Sequence, residues 1–131
     1  MIVLDASAAL ELLLRTSIGK RVALRLDDPG TTVHAPHLLE LEVAQVLRKL
    51  CLTSTITSSR AAEALDDLRA LGGERYAHEP MLRRIWQLRE NLTAYDAAYV
   101  ALAESLDIPM LTVDARAARS SGHRARIELV G

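Results

Sequence analysis

Residues 2–5 read Ile-Val-Leu-Asp, and this stretch decides how the fold begins, because three apolar side chains lead directly into a carboxylate. A short, wholly apolar run predicts a strand that is buried on both faces, as in a parallel sheet. The pattern returns near the other end of the chain, where the run from Met110 to Val113 is followed by Asp114. Ligands of open α/β sheets bind outside the carboxyl ends of the strands. Asp5 and Asp114 are therefore candidates for one shared site, although each could instead simply cap the helix that follows it.

Helical and strand patterns alternate between these two runs. Thr57 or Ser58 can cap one helix and Thr93 another, and Pro80 fits the first turn of a helix. The patterns predict helices near residues 8–15, 18–26, 39–50, 58–71, 80–88, 94–106 and 115–120, and further strands near 32–35, 75–77 and 127–130. Strands that alternate with helices predict an α/β sandwich around a mostly parallel sheet.

Composition restricts the class of protein. The length of 131 residues predicts a single domain over residues 1–131, and a chain that is 50% hydrophobic and 25% charged is typical of globular proteins rather than disordered ones. One cysteine, Cys51, excludes an internal disulfide and suits a reducing cytosol. No uncharged apolar stretch approaches the roughly 20 residues of a membrane span, so we expect a cytoplasmic protein without membrane contact. The net charge of −1 does not by itself indicate a nucleic-acid binder.

Three further acids lie on predicted helices. Asp96 follows Thr93 at the spacing of a capping box, but residues 97–103 are apolar all round, which predicts a central helix. A carboxylate at the start of such a helix would face the interior crevice. Glu40 and Glu42 both flank the apolar stripe of their helix, and the periodicity does not choose between them.

Carboxylates that converge in one crevice require a counter-charge. Two carboxylates about 5 Å apart repel each other by about 3 kcal/mol at an effective dielectric constant near 20. An all-oxygen set of ligands favours Mg²⁺ or Mn²⁺ over zinc. The four histidines have no zinc-site spacing and Cys51 has no cysteine partner, so we expect a magnesium site rather than a zinc site.

Four short motifs together resemble a known family. They are Val3-Leu4-Asp5-Ala6-Ser7, the segment from Glu42 to Arg48, the segment from Leu92 to Tyr99, and Leu111-Thr112-Val113-Asp114. Each motif is weak alone, but their order and spacing over nearly the whole chain are similar to those of the PIN-domain ribonucleases. Within that family the chain resembles the VapC-type toxins of toxin–antitoxin pairs.

The resemblance implies a PIN-like three-layer α/β/α sandwich and a set of site residues. The catalytic and metal-binding acids would be Asp5, Glu42, Asp96 and Asp114, which selects Glu42 over Glu40, with Ser7 and Thr112 in supporting positions. The implied cofactor is Mg²⁺, with Mn²⁺ as an alternative. The implied reaction is hydrolysis of an RNA phosphodiester, in tRNA, rRNA or mRNA, that leaves a 3′-hydroxyl and a 5′-phosphate. The family often carries another acid soon after the last one, but residues 115–118 contain none.

The resemblance also implies partners. These are a cognate VapB-type antitoxin, whose C-terminal segment lies over the groove of the toxin, and a second copy of the chain in a homodimer. Apolar residues of the helices from Ile18 and Thr57 could form either contact, although burial in the protein's own core is the default interpretation. We expect core packing rather than base stacking for Trp86, Tyr95 and Tyr99.

Two other functions are open to the sequence. A phosphoacceptor receiver domain is also a small α/β fold with an acidic Mg²⁺ pocket, but it expects adjacent acids after the first strand and a lysine at the end of a late strand. Here Ala6 follows Asp5, and the only lysines, Lys20 and Lys49, fall on predicted helices. The second alternative is a catalytically silent PIN-like module that only binds a partner.

Overall fold

The computed structural model describes residues 1–131 as five strands, seven α-helices and one 3₁₀ turn. The strands are β1 (Ile2–Leu4), β2 (Val33–Pro36), β3 (Glu74–Tyr76), β4 (Met110–Thr112) and β5 (Ile127–Leu129). The helices are α1 (Ala6–Leu13), α2 (Ser17–Leu26), α3 (Leu38–Leu52), α4 (Ser58–Leu71), α5 (Leu82–Gln87), α6 (Ala94–Leu106) and α7 (Ala115–Ala118). None of these helices has both the length and the apolar character needed to cross a lipid bilayer.

The strands form one sheet in the order β3-β2-β1-β4-β5, and every pair in it is parallel. Helices α2, α3 and α4 all contact α1, whereas α6 contacts α5 and the strands β1, β2 and β4. The expected α/β/α sandwich with a mostly parallel sheet is thereby confirmed. The alternative of a receiver domain is wrong, because flavodoxin-like folds have the strand order 2-1-3-4-5.

The strand order reverses at β1, which lies between β2 and β4. At such a switch point the connections leave the sheet in opposite directions, and a crevice opens outside the carboxyl ends of the two strands. Val3 pairs with Met110 and Leu4 with Leu111, so β1 and β4 end side by side. The residues that follow these two strands therefore meet at one edge of the sheet.

Helix α6 is the most deeply buried helix of the fold. Seven consecutive residues, Ala97 to Ala103, are buried, and they belong to one hydrophobic core of 27 residues that also contains β1. The small alanine side chains allow this helix to lie close to the sheet, while Tyr99, Val100 and Leu102 fill the volume around it. The prediction of a central helix that begins after Thr93 is confirmed, and Asp96 lies in its first turn.

The boundaries that differ from prediction have local causes. Helix α1 begins at Ala6, two residues earlier than the apolar pattern suggested, because the carboxylate of Asp5 accepts a hydrogen bond from the Ala8 amide and caps the helix directly after the strand. The helix predicted around Pro80 is divided into a 3₁₀ turn, Glu79–Met81, and α5.

Candidate active site

A cavity of about 600 Å³ opens at the carboxyl ends of β1 and β4. Four carboxylates line it: Asp5 after β1, Glu42 on α3, Asp96 in the first turn of α6 and Asp114 after β4. We call this group the acidic crevice. Ser7 also lines the cavity, whereas Thr112 is buried behind it. The structure thus brings together acids that lie up to 109 positions apart in the sequence.

Asp5 is the most tightly held of the four carboxylates. Its Oδ1 accepts hydrogen bonds from Ser7 Oγ at 2.7 Å and from the Ala8 amide at 2.9 Å, and its Oδ2 accepts one from Thr112 Oγ1. Burial raises the pKa of Asp5 above its ordinary value, although all three hydrogen bonds favour the ionised form. Asp5 is therefore both the cap of α1 and a buried acid aimed at the cavity.

Thr112 connects the ends of the two central strands. Its hydroxyl donates to Asp5, accepts a hydrogen bond from the Asp114 amide at 3.0 Å, and lies 3.1 Å from Ser7 Oγ. Ser7 Oγ in turn accepts a hydrogen bond from the Val113 amide at 3.2 Å. These bonds fix the backbone after β4 against the backbone after β1, and so they set the position of Asp114 relative to Asp5.

Glu42, not Glu40, faces the crevice. The Tyr99 hydroxyl donates to Glu42 Oε1 at 2.7 Å, whereas Glu40 forms an ion pair with Arg75 at 2.7 Å outside the cavity. Burial raises the pKa of Glu42, and the charges of Asp96 and Asp5 raise it further, while the bond from Tyr99 lowers it. The sequence pattern predicted only core packing for Tyr99, although its position one helical turn after Asp96 was a signal for this role.

Asp96 and Asp114 lie at helix starts as well as in the crevice. The Asp96 amide donates to Thr93 Oγ1 at 3.1 Å, and Asp114 Oδ1 accepts from the Arg116 amide at 2.9 Å. Burial raises the pKa of Asp96, and the negative charge of Asp114 adds to that rise. Asp114 is therefore a helix cap and a member of the site at once, whereas Asp96 lies in the site and Thr93 caps its helix.

The acidic crevice is an all-oxygen set of donors with mutual repulsion. Asp5, Glu42 and Asp96 each have a pKa raised by burial and by at least one other carboxylate of the group. No three His, Cys, Asp or Glu side chains of the chain are close enough together to hold a metal ion directly as they stand. An all-oxygen donor set of this kind suits a hard cation such as Mg²⁺, which retains several of its waters in proteins.

One wall of the cavity is apolar and partly exposed. Leu41 and Tyr95 are exposed there beside the buried face of α3, with further lining from Leu10, Leu38 and Val46. The groove beside the acids is thus built by α1, α3 and α6. Core packing is confirmed for Tyr99 but was wrong for Tyr95 and Trp86, which are 62% and 66% exposed.

Comparison with known proteins identifies the family. The sequence profile of the PIN domain matches residues 2–122. Ribonuclease VapC12 of Mycobacterium tuberculosis is 45% identical over 130 residues, which cover 99% of both chains. The chain belongs to the VapC-type ribonucleases of the PIN-domain family. Ribonuclease VapC1 of the same organism is 48% identical over 98 residues, 74% of each chain. The crystal structure of PAE2754 from Pyrobaculum aerophilum has the same fold, with a TM-score of 0.70, 20% sequence identity and coverage of 96% of this chain and 89% of that one.

The segment after the last acid of the crevice contains a basic residue and no further acid. The residues after Asp114 are Ala115, Arg116, Ala117 and Ala118. Arg116 is 88% exposed, and its Nε lies 3.7 Å from Asp114 Oδ1. The rim of the crevice on this side therefore carries a cation rather than a fifth carboxylate.

Proposed function

We propose that this chain is a Mg²⁺-dependent endoribonuclease that acts as the toxin of a type II toxin–antitoxin pair, with residues 1–131 acting as one PIN-like domain. The observation that carries the proposal is the convergence of Asp5, Glu42, Asp96 and Asp114 in one cavity at the switch point of the sheet. Membership of the VapC-type ribonucleases supports RNA as the substrate.

The donor set of the crevice fits a hard divalent cation. Its lining contains four carboxylates, the hydroxyl of Ser7 and no histidine or cysteine, and this chemistry selects Mg²⁺ or Mn²⁺ over zinc. Asp5, Asp96 and Asp114 are the residues that would hold the ion, directly or through water, and Glu42 completes the ring. Bound there, Mg²⁺ supplies positive charge for the phosphate oxygens and lowers the pKa of a water molecule.

The side chains of the protein keep the acids oriented for this role. Ser7, Thr112 and the Ala8 amide fix both oxygens of Asp5, so that its carboxylate does not rotate when substrate enters. Tyr99 fixes Glu42 in the same way from within the core. Preorganised groups of this kind stabilise charge that develops in the transition state without reorganising during the reaction. The family implies products with a 3′-hydroxyl and a 5′-phosphate.

The partners follow from the same family. We propose a VapB-type antitoxin whose C-terminal segment covers the exposed apolar wall of Leu41 and Tyr95, together with an RNA substrate from the tRNA, rRNA or mRNA pool. We also propose that the toxin is a homodimer and that it acts in the cytosol, where these RNAs are found. Light scattering of the purified toxin, alone and with the product of a neighbouring antitoxin gene, tests both associations.

The decisive experiment is RNA cleavage by the purified protein with Mg²⁺ or with chelator. An Asp5→Asn variant keeps the Oδ1 that caps α1 but removes the charge, so we expect it to fold and to lose at least about a hundredfold in Mg²⁺-dependent cleavage. Asp107→Asn is the matched control, because Asp107 is an exposed acid at the opposite end of α6. Purification of all three proteins in parallel also controls for contaminating ribonucleases.

Thermal unfolding provides a second measurement that does not depend on the substrate. Mg²⁺ that binds only the folded chain raises the unfolding temperature. We expect this rise in the unaltered protein and in Asp107→Asn, and a smaller one in Asp5→Asn and Asp114→Asn. Full cleavage activity in Asp5→Asn would remove that residue from the mechanism. Absence of cleavage by the unaltered protein in Mg²⁺ would favour the silent PIN-like module.

A further inference from the structure

Arg116 is the basic side chain held at the rim of the acidic crevice. It lies in the first turn of α7, where its backbone amide donates to Asp114 Oδ1 at 2.9 Å. The guanidinium extends along the same carboxylate, with Nε 3.7 Å from Asp114 Oδ1. Its charge also reaches the neighbouring acid, because Arg116 lowers the pKa of Asp96. Arg116 is thus fixed at its backbone beside two of the four acids.

The guanidinium itself remains free to bind a ligand. At 3.7 Å its contact with Asp114 is an ion pair without a hydrogen bond, and the side chain is 88% exposed. No lysine or arginine lines the cavity, and Arg116 is the one cation that forms an ion pair with an acid of the crevice. A polyanion that enters the crevice must approach four carboxylates, and Arg116 is the protein cation that meets it there.

We propose that Arg116 binds a non-bridging oxygen of the phosphodiester that is cleaved, and so positions the RNA over the acidic crevice. This inference rests on the proposed ribonuclease function. The planar guanidinium can donate two parallel hydrogen bonds to one phosphate group, a geometry that a lysine ammonium does not reproduce. Arg116 is the one charged residue among residues 115–118, so no neighbouring acid in this segment neutralises it.

The effect of removing Arg116 on the affinity for Mg²⁺ distinguishes phosphate binding from a merely structural role. If Arg116 served to hold Asp114 in place, its removal would weaken Mg²⁺ binding. If Arg116 binds phosphate, its removal deletes one positive charge near the cation, and Mg²⁺ should bind more tightly. One unit charge about 6 Å away in a water-exposed site changes the Mg²⁺ concentration for half-saturation by about two- to tenfold.

The test compares Arg116→Ala and Arg116→Lys with Arg124→Ala. Arg124 is a matched control, because it is 78% exposed and lies 3.7 Å from a carboxylate oxygen of Glu104, at the other end of α6. Cleavage is measured on total cellular RNA with Mg²⁺ at limiting substrate. The measured quantity is the rate at which each variant forms the fragments that the unaltered protein produces. Mg²⁺ binding is measured separately, from the rise in unfolding temperature without RNA.

We expect Arg116→Ala to lower the cleavage rate about ten- to a hundredfold relative to Arg124→Ala, with Arg116→Lys in between. Arg116→Ala should be half-saturated with Mg²⁺ at a lower Mg²⁺ concentration than the unaltered protein. Its cleavage rate at limiting RNA should also depend less steeply on salt concentration, with a logarithmic slope smaller by about one, because one phosphate contact is lost. Equal rates in Arg116→Ala and Arg124→Ala overturn the inference, and so does a slower Arg116→Ala that also binds Mg²⁺ more weakly. Failure of the unaltered protein to cleave RNA contradicts the proposed function itself, and this inference with it.

Discussion

Replacement of Thr112 by valine tests whether the hydroxyl behind the acidic crevice holds the site together. Valine has almost the same shape as threonine, and Thr112 is fully buried, so the substitution removes polar contacts without opening a cavity. Asp5 Oδ2 loses its hydrogen bond, and the Asp114 amide loses its acceptor. We expect Thr112→Val to destabilise the fold while leaving its architecture intact.

The magnitude follows from the partners of the hydroxyl. A hydrogen bond to a buried charged group contributes about 1.5–3 kcal/mol, and an amide left without an acceptor costs about 1 kcal/mol more. The expected loss is therefore about 2.5–4 kcal/mol of unfolding free energy. At about 2.1 cal/mol/K per residue, a chain of 131 residues has an unfolding entropy near 0.28 kcal/mol/K. The unfolding temperature should fall by about 9–14 °C at neutral pH.

Calorimetry or circular dichroism measures this shift, with Thr55→Val as the control. Thr55 is exposed, and its hydroxyl contacts only the hydroxyl of Thr53, so its replacement should change the unfolding free energy by less than about 0.5 kcal/mol. The difference between Thr112→Val and the unaltered protein should shrink in acid, because the lost bond favours the ionised form of Asp5, whose pKa burial raises. A decrease below about 3 °C at neutral pH would refute this account of Thr112.

Two further substitutions test the charges of the acidic crevice. Tyr99→Phe removes the donor to Glu42 while keeping the buried ring, and it should lower the unfolding temperature by about 4–7 °C, corresponding to about 1–2 kcal/mol; an unchanged temperature contradicts this. Asp96→Asn should raise the unfolding temperature in chelator at neutral pH, because burial and Asp114 raise the pKa of Asp96 in the folded state. The folded state loses stability as the pH rises from the ordinary carboxyl pKa through the raised one, so the gain should disappear below the ordinary pKa and reverse in Mg²⁺ at neutral pH. A gain that is the same at all pH values argues against charge repulsion as its cause.

Local sequence patterns predicted the framework of the site because that framework is itself local. The run Ile2–Leu4 ends where the strand ends, and Asp5 caps the next helix within four residues, so strand, acid and helix start are all encoded in one short segment. Thr93 and Asp96 encode the start of α6 in the same way. Placing these segments at one edge of the sheet then requires only the general behaviour of parallel strands.

The features that the residue patterns missed depend on contacts between distant segments. Glu40 and Glu42 have equivalent positions relative to the apolar stripe of α3, and they are distinguished only by Arg75, 35 positions after Glu40, and Tyr99, 57 positions after Glu42. The periodicity of α3 alone contains neither partner, so only the family resemblance selected Glu42. The exposure of Trp86 has a similar origin, since α5 buries Ile85 against the core and turns the adjacent Trp86 towards solvent, where Arg89 stacks over its ring at 4.6 Å.

The strand-end acids were interpreted either as helix caps or as members of a shared site, and in the structure the same carboxylates do both. Asp5 and Asp114 each accept a hydrogen bond from a backbone amide at the start of a helix. Asp96 lies in the first turn of α6, where the partial positive charge of the helix favours a carboxylate. Those interactions offset part of the cost of burying like charges together, yet burial still raises the pKa of Asp5 and Asp96. A carboxylate held in this way is fixed in position but poorly neutralised, which is the condition in which a divalent cation gains most by binding. Since asparagine can also cap a helix, the charge of each acid can be removed while its structural role is retained.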